Sequence, residues 1–110
     1  MSPDTIEITD QNFEAEVLQC PLPVLLDFWA PWCMPCRRLG PVLEEVATDY
    51  KGRAKIGKLN TDDSPDTAME YKITNIPCVI LFSKGAPVAR IVGLRSREDY
   101  STALDEALKG

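Results

Sequence analysis

At residues 24–36 the chain reads VLLDFWAPWCMPC, an apolar run followed by two cysteines three positions apart. Apolar residues occupy both alternating faces of Val24–Trp29 except at Asp27, so this run predicts a central strand covered on both sides. From about residue 34 to residue 50, apolar side chains recur every three or four positions and predict an amphipathic helix. Cys33 and Cys36 therefore fall where a buried strand gives way to a helix. A thiol pair at such a junction indicates redox chemistry more than a metal site or a structural scaffold.

The same patterns, followed along the whole chain, predict the element order βαβαβαββα. Strands are expected at residues 6–8, 24–29, 54–59, 78–82 and 88–92, and helices near 13–18, 34–50, 65–71 and from 97 onward. Parallel units at the start and a hairpin near the end imply an α/β fold, with one mixed five-stranded sheet flanked by four helices. We expect residues 1–110 to form a single domain, since the chain has no linker and no repeat.

Local signals refine this prediction. Asp10 or Asn12 is expected to cap the first helix and Ser64 the third. Pro41 is expected to kink the long helix, and Gly57 makes the third strand the weaker assignment. In the last helix, the side chains expected to face the core are Tyr100, Ala103, Leu104, Ala107 and Leu108.

The composition is that of an ordinary soluble globular protein, 45% hydrophobic and 26% charged. A formal net charge of −5 argues against electrostatic binding to nucleic acid or to an anionic membrane. No apolar run approaches the roughly 18 residues of a transmembrane helix, and residues 1–5 lack the features of a secretory signal. We therefore expect a cytoplasmic protein, or one in an organelle stroma or matrix if a transit peptide has been removed.

Cys33 is the predicted nucleophile of the thiol pair. At the start of a helix its sulfur faces unpaired backbone N–H groups and the positive end of the helix dipole, which favour a thiolate. Arg37 and Arg38 add positive charge nearby. Cys36 lies one turn later on the same face, within reach of a disulfide. We therefore expect Cys33 to attack a disulfide in a partner and Cys36 to resolve the mixed disulfide.

The alternative interpretation of the pair is half of a zinc site. The chain has no histidine and no second CxxC motif to complete such a site, so redox chemistry is favoured. Cys20 falls at the end of the first helix, where an exposed thiol could be modified or could pair between molecules. The favoured interpretation gives Cys20 no function.

Asp27 is the second chemical signal because it interrupts an apolar strand. If its carboxyl group is buried there, its pKa should be raised and it could take a proton from Cys36. If instead it lies at a solvated end of the strand, it has no such role. The residue pattern leaves both interpretations open.

Landmarks spread along the chain resemble those of the thioredoxin family. In order, they are DFWAPWC at residues 27–33, Pro35-Cys36, Pro41, Lys58-Leu59-Asn60, Ile76-Pro77 and Gly93. A CxxC motif alone is moderate evidence, whereas these landmarks together cover essentially the whole chain. The resemblance implies the thioredoxin fold.

The resemblance also implies roles for individual residues. It assigns Cys33 as nucleophile, Cys36 as resolving thiol and Asp27 as buried proton acceptor, supported by nearby Lys58. It implies a cis peptide bond at Ile76-Pro77, packed beside the dithiol. The residues assigned to a shallow surface for an extended substrate segment are Trp32, Met34, Pro35, Ile76, Pro77 and Gly93.

The function implied by the resemblance is protein-disulfide reduction, in which the dithiol itself carries the electrons. The chain has no glycine-rich nucleotide fingerprint, so no bound cofactor is expected. A separate reductase, either NADPH-dependent or ferredoxin-dependent, would recharge the dithiol. The expected partners are this thioredoxin reductase-type donor and disulfide-containing clients, and the expected state is a monomer.

The chain departs from the family pattern at three positions. Met34 replaces the usual glycine between the cysteines, Asn75 replaces a common glycine, and Cys78 follows Pro77 directly. Cys78 is either a third redox-active thiol or a small core hydrophobe, and the second interpretation is favoured. Two other functions stay open: a more oxidising isomerase or oxidase, which Pro35 argues against, and a binding subunit whose redox activity is incidental.

Overall fold

The strand Val24–Trp29 (β2) lies at the centre of a five-stranded mixed sheet in the computed structural model, which describes residues 4–109. The other strands are β1 (Thr5–Ile8), β3 (Lys55–Asn60), β4 (Cys78–Ser83) and β5 (Ala86–Val92), in the spatial order β1-β3-β2-β4-β5. β3 pairs in parallel with β1 and β2, whereas β4 pairs antiparallel with β2 and β5.

The helices in the described part of the chain are α1 (Met34–Asp49), α2 (Pro65–Glu70) and α3 (Arg97–Lys109), preceded by a π-helix at Glu14–Leu18. The predicted α/β fold with five strands and four helices is therefore confirmed, and the first helix proves to be a single π-helical segment. Across residues 4–109, no helix is both long and apolar enough to cross a membrane.

Each face of β2 contributes to a separate apolar layer. Leu26 and Phe28 pack in a layer with Phe13 and Val17, which come from the region of the π-helix. Leu25 lies in the opposite layer, which α1 and α3 cover. Both faces of β2 are thus buried, as expected for a central strand in a sheet with helices on both sides.

The position of α1 is set by its apolar stripe. Leu39, Leu43 and Val46 are fully buried in the same layer as Leu25 and Ile56. Burial of each such side chain contributes about 1.5–3 kcal/mol to folding. The helix continues past Pro41 to Asp49, so this stripe holds the whole of α1 against the sheet. Its first turn consequently lies just beyond the carboxyl end of β2.

The predicted helix caps are wrong, because Asp10 caps α2 and no side chain caps the first helix. The Asp10 carboxylate accepts hydrogen bonds from the backbone N–H groups of Asp66 and Thr67 and from the Thr67 hydroxyl, at 3.2, 2.9 and 2.7 Å. It therefore caps α2 rather than the first helix. The Ser64 hydroxyl makes no cap bond to α2 and accepts the Asp10 backbone N–H at 3.1 Å. Asn12 instead accepts the Thr9 backbone N–H, at 2.7 Å.

Gly57, which made β3 the weaker strand assignment in the sequence, lies at a position with no room for a side chain. A Cβ atom at this position would lie 2.7 Å from Ile8 Cγ1 and 3.3 Å from Leu26 Cδ1. The absence of a side chain at Gly57 leaves room for the Ile8 and Leu26 side chains, from the two neighbouring strands, to pack over β3. The prediction that Leu108 faces the core is wrong, because this residue is 38% exposed. Cys20 is only 8% exposed and joins the apolar layer of Phe13, which agrees with the favoured interpretation that it has no function.

We predict that Asp10→Ala lowers the free energy of unfolding by about 1–2 kcal/mol, the usual cost of losing a helix cap. Asp10→Asn retains one acceptor oxygen and is expected to lose less. Urea denaturation of the two variants and the wild-type protein measures both effects. Equal stability of Asp10→Ala and wild type would contradict the assignment of this cap.

Candidate active site

Cys33 and Cys36 form a disulfide at the N-terminus of α1, with their Cα atoms 5.3 Å apart. Cys33 is the N-cap residue, with an extended backbone at φ −93° and ψ 107°, and its sulfur accepts the Cys36 backbone N–H at 3.2 Å. Pro35 occupies the first turn, where its missing N–H costs no helix bond. The helix N-terminus thus aims a backbone donor at the Cys33 sulfur, which stabilises a thiolate after reduction.

Two distant segments pack beside this disulfide. The Ile76–Pro77 peptide bond is cis, as the family resemblance implied, and the Ile76 carbonyl oxygen lies 3.8 Å from Cys33 Sγ. The Gly93 backbone N–H donates to the Pro77 carbonyl oxygen at 2.8 Å. Gly93 has a φ of +90°, a left-handed conformation that favours glycine. Residues from α1, the start of β4 and the end of β5 therefore converge.

An exposed apolar rim surrounds the buried dithiol. Trp32 is 69% exposed and Met34 58%, whereas both cysteines are buried. Pro35 is exposed and Ile76 half-buried. The Trp32 indole N–H donates to the Asp62 carboxylate at 3.3 Å, a contact that orients the ring. Sequence reasoning missed Asp62 because no local pattern links it to Trp32.

Asp27 is fully buried, with an exposed fraction of 0%. Neither of its carboxylate oxygens has a hydrogen-bond partner among the described residues. Burial raises the pKa of Asp27 to about 7, and the positive charge of Lys58 acts in the opposite direction. The interpretation of Asp27 as a solvated residue at a strand end is therefore wrong.

Lys58 lies opposite Asp27 in the parallel pairing of β2 with β3. Its ammonium nitrogen sits 4.7 Å from the centroid of the Trp29 ring, and Trp29 itself packs against the two active-site cysteines. Lys58 is half-buried. Asp27 and Lys58 are thus neighbours, as predicted. The positive charge of Lys58 acts on the Asp27 carboxylate without forming a direct ion pair.

Cys78 is buried in the layer that contains Phe28 and Ile80. Burial raises the pKa of its thiol, while Arg90, with a guanidinium nitrogen 4.0 Å from the sulfur, acts to lower the pKa. Its placement is that of a small core hydrophobe, the interpretation that the sequence favoured. A buried thiol with a raised pKa is a poor nucleophile.

A buried disulfide at a helix N-terminus, within an exposed apolar rim, is the site of a thiol–disulfide oxidoreductase. Comparison with known proteins makes this class more specific. A protein-family model described as thioredoxin matches residues 4–106. The chain belongs to the thioredoxin family.

Individual relatives agree with this assignment. Thioredoxin 2 of Chlorobaculum tepidum is 47% identical over 106 residues, which cover 96% of this chain and 97% of the relative. The thioredoxin of Buchnera aphidicola subsp. Schizaphis graminum is 48% identical over 104 residues, covering 94% and 96%. The bifunctional thioredoxin reductase/thioredoxin of Mycobacterium leprae is 47% identical over 93 residues, covering 84% of this chain and 20% of the relative. The protein is a thioredoxin-type protein-disulfide reductase.

We predict that Asp27→Asn stabilises the protein increasingly as the pH rises. Because the pKa of Asp27 is raised in the folded state, folded protein retains a proton between pH 4 and 7 that unfolded protein releases. The free energy of unfolding of the wild type therefore falls over this range, by at most about 4 kcal/mol, and levels off above it. Asn does not titrate, so the stability difference between variant and wild type should widen from pH 4 to pH 8.

Urea denaturation of both proteins at pH 4, 6 and 8 tests this prediction. Asp62→Asn is a matched control, because it neutralises an exposed carboxylate near the active site. A difference between Asp27→Asn and wild type that does not change with pH would contradict a raised pKa for Asp27.

Proposed function

We propose that Cys33 initiates disulfide reduction and Cys36 completes it. The observation that carries this proposal is the hydrogen bond from the Cys36 backbone N–H to Cys33 Sγ, since it singles out Cys33 for thiolate stabilisation. The Cys33 thiolate attacks one sulfur of a client disulfide, forming a mixed disulfide and releasing a client thiolate. Cys36 then attacks Cys33 Sγ, re-forms the internal disulfide and expels the second client thiolate. Two electrons pass from the dithiol to the client.

In this scheme Asp27 is the group that accepts the Cys36 proton. Cys36 is a buried residue on the inward face of α1, and α1 covers the layer toward which Asp27 and its neighbour Leu25 point. A carboxyl group with a pKa of about 7 exchanges a proton readily near neutral pH. Lys58 supports this role because its charge limits the rise in the Asp27 pKa.

Clients are proposed to bind along the exposed rim and the adjacent backbone. This surface consists of the exposed Trp32, Met34 and Pro35 with the half-buried Ile76 and Gly93, whereas Pro77 is buried and its carbonyl oxygen accepts the Gly93 backbone N–H. An extended segment placed there would bring its disulfide to Cys33 without entering the core. Met34 stands where the family usually has a glycine, and its side chain adds a flexible apolar contact to this surface.

A separate reductase is proposed to recharge the dithiol in a monomeric, cytoplasmic protein. The relative from Mycobacterium leprae, whose name joins thioredoxin reductase to thioredoxin, supports a donor of that class. An NADPH-dependent and a ferredoxin-dependent reductase are the two candidate donors. Assays of disulfide reduction with each purified donor decide between them.

We predict that Cys36→Ser accumulates a stable mixed disulfide with a synthetic peptide that contains one disulfide, because the resolving thiol is missing. Cys33→Ser is expected to form none and to reduce the peptide at least about 100-fold more slowly than wild type, since a single buried thiol without the helix donor remains. Mass spectrometry of the non-reduced products measures both. Equal trapping by the two variants would contradict the assignment of roles, and full cellular function of the Cys33→Ser/Cys36→Ser double variant would favour the binding-subunit interpretation.

We also predict a reduction potential below the glutathione poise. Thioredoxins have reduction potentials of about −270 mV, whereas the potential of extracted cytosolic glutathione is about −220 to −260 mV. Equilibration of the dithiol with dithiothreitol buffers, followed by thiol alkylation, gives the value, and Met34→Gly serves as the comparison variant. A potential above about −180 mV would place the protein with isomerases and oxidases instead.

A further inference from the structure

Met34 follows Cys33 directly in the chain and exposes its side chain to solvent. Its exposed fraction is 58%, whereas those of Cys33 and Cys36 are 5% and 2%. Met34 is the first residue of α1, and burial of Leu39 and Leu43 holds this helix against the sheet. The thioether of Met34 is therefore kept at the surface of the active site while the two cysteines stay buried.

The exposed sulfur atoms of residues 4–109 belong to methionines. Met34 and Met69 are exposed, whereas all four cysteines are buried. A peroxide oxidises a thioether to a sulfoxide, and a cysteine is attacked by peroxide chiefly as an accessible thiolate. The disulfide form has no thiolate at the active site, and the thiols of Cys20 and Cys78 are shielded by burial. In that form, a peroxide therefore acts first on the exposed methionines.

The surface around Met34 is apolar. Trp32 is 69% exposed, and its indole N–H donates to the Asp62 carboxylate at 3.3 Å. Pro35 is exposed and Ile76 half-buried. A client segment that packs here removes the surface from water, and a sulfoxide oxygen at residue 34 would lose its hydration on docking. An apolar client offers no donor to replace the lost water, so oxidation of Met34 opposes docking.

Met69 provides a comparison within the same chain. It lies on α2 and is 76% exposed, so a peroxide reaches it at least as readily as Met34. Met69 is not part of the proposed client surface. Both methionines should thus be oxidised, whereas only oxidation of Met34 should affect clients.

We propose that Met34 is a modification site, at which oxidation by a peroxide weakens client docking and leaves the chemistry of the dithiol intact. Hydrogen peroxide transfers one oxygen atom to the thioether sulfur, its O–O bond breaks and the second oxygen leaves as water. The sulfur loses two electrons and the peroxide gains them. A glycine, the usual family residue at this position, has no atom that could be modified in this way.

The dithiol keeps its chemistry because the donor to Cys33 Sγ is the backbone N–H of Cys36, which oxidation of Met34 does not alter. The effect on clients rests on the proposed client surface. A methionine sulfoxide reductase reverses the modification, so the loss of docking is recoverable.

The test begins with the disulfide form of the wild-type protein, treated with hydrogen peroxide and mapped by peptide mass spectrometry. One added oxygen is expected on Met34 and one on Met69. After reduction of the dithiol, kcat/KM is measured with a disulfide peptide that has apolar flanking residues and with oxidised glutathione, a small polar disulfide. Treatment should lower kcat/KM for the peptide about tenfold, through KM. The value for oxidised glutathione and the reduction potential should not change.

Met34→Leu and Met69→Leu are the matched variants. Met34→Leu keeps an apolar side chain without an oxidisable sulfur, so its kcat/KM for the peptide should be the same before and after treatment. Met69→Leu should be as active as the wild type and as sensitive to peroxide. Met1, which lies outside the described residues, is present in both variants, so its oxidation cannot explain a difference between them.

Four results would overturn the inference: Met34 unmodified while Met69 is oxidised, an unchanged KM for the peptide, sensitivity that persists in Met34→Leu, or an equal loss with oxidised glutathione. Failure of the proposed function would look different. In that case the untreated protein would not reduce the peptide through Cys33, while peptide mapping would still show whether Met34 is oxidised.

Discussion

The arrangement of the active site depends on β2 being held on all four sides. Its backbone is hydrogen-bonded in parallel to β3 and antiparallel to β4, and helices cover both of its faces. A strand so enclosed cannot slide, since a shift of one residue would turn its apolar side chains to the wrong layers. The carboxyl end of β2 is thereby fixed, and the chain leaves it directly into the two cysteines. Burial of Leu39, Leu43 and Val46 then fixes α1, whose N-terminus provides the donor to the Cys33 sulfur.

Burial of Asp27 within this strand lowers the stability of the fold and also raises the pKa of its carboxyl group. A carboxyl group at the centre of a buried strand loses its hydration, and the protein carries that loss of stability whenever the group is ionised. The loss also raises the pKa of Asp27 toward neutrality, where a proton acceptor for a thiol is effective. A less buried aspartate would stabilise the fold and would stay ionised throughout the physiological pH range. In the proposed mechanism, this loss of stability at Asp27 accompanies its role as acceptor of the Cys36 proton.

The exposed rim around the dithiol is built from several distant segments of the chain. Its apolar parts come from segments that are far apart in the chain, and backbone contacts bring them together, such as the bond from Gly93 to the Pro77 carbonyl oxygen. These segments lie at the ends of strands β4 and β5, which place them beside the N-terminus of α1. The rim can therefore vary in side chains, as it does at Met34, without disturbing the geometry that presents Cys33.

The sequence by itself determined the elements and the reacting pair. Periodicity located each strand and α1, since the apolar pattern of a segment reflects which of its faces is buried. The motif at residues 33–36 placed two thiols within bonding reach, because spacing along a helix is a local property. The tertiary structure decided the contacts between distant residues: the capping of α2 by Asp10, the packing of the Ile8 and Leu26 side chains over Gly57, and the burial of Cys20. These features depend on which surfaces meet after folding, and a single local pattern carries no information on that.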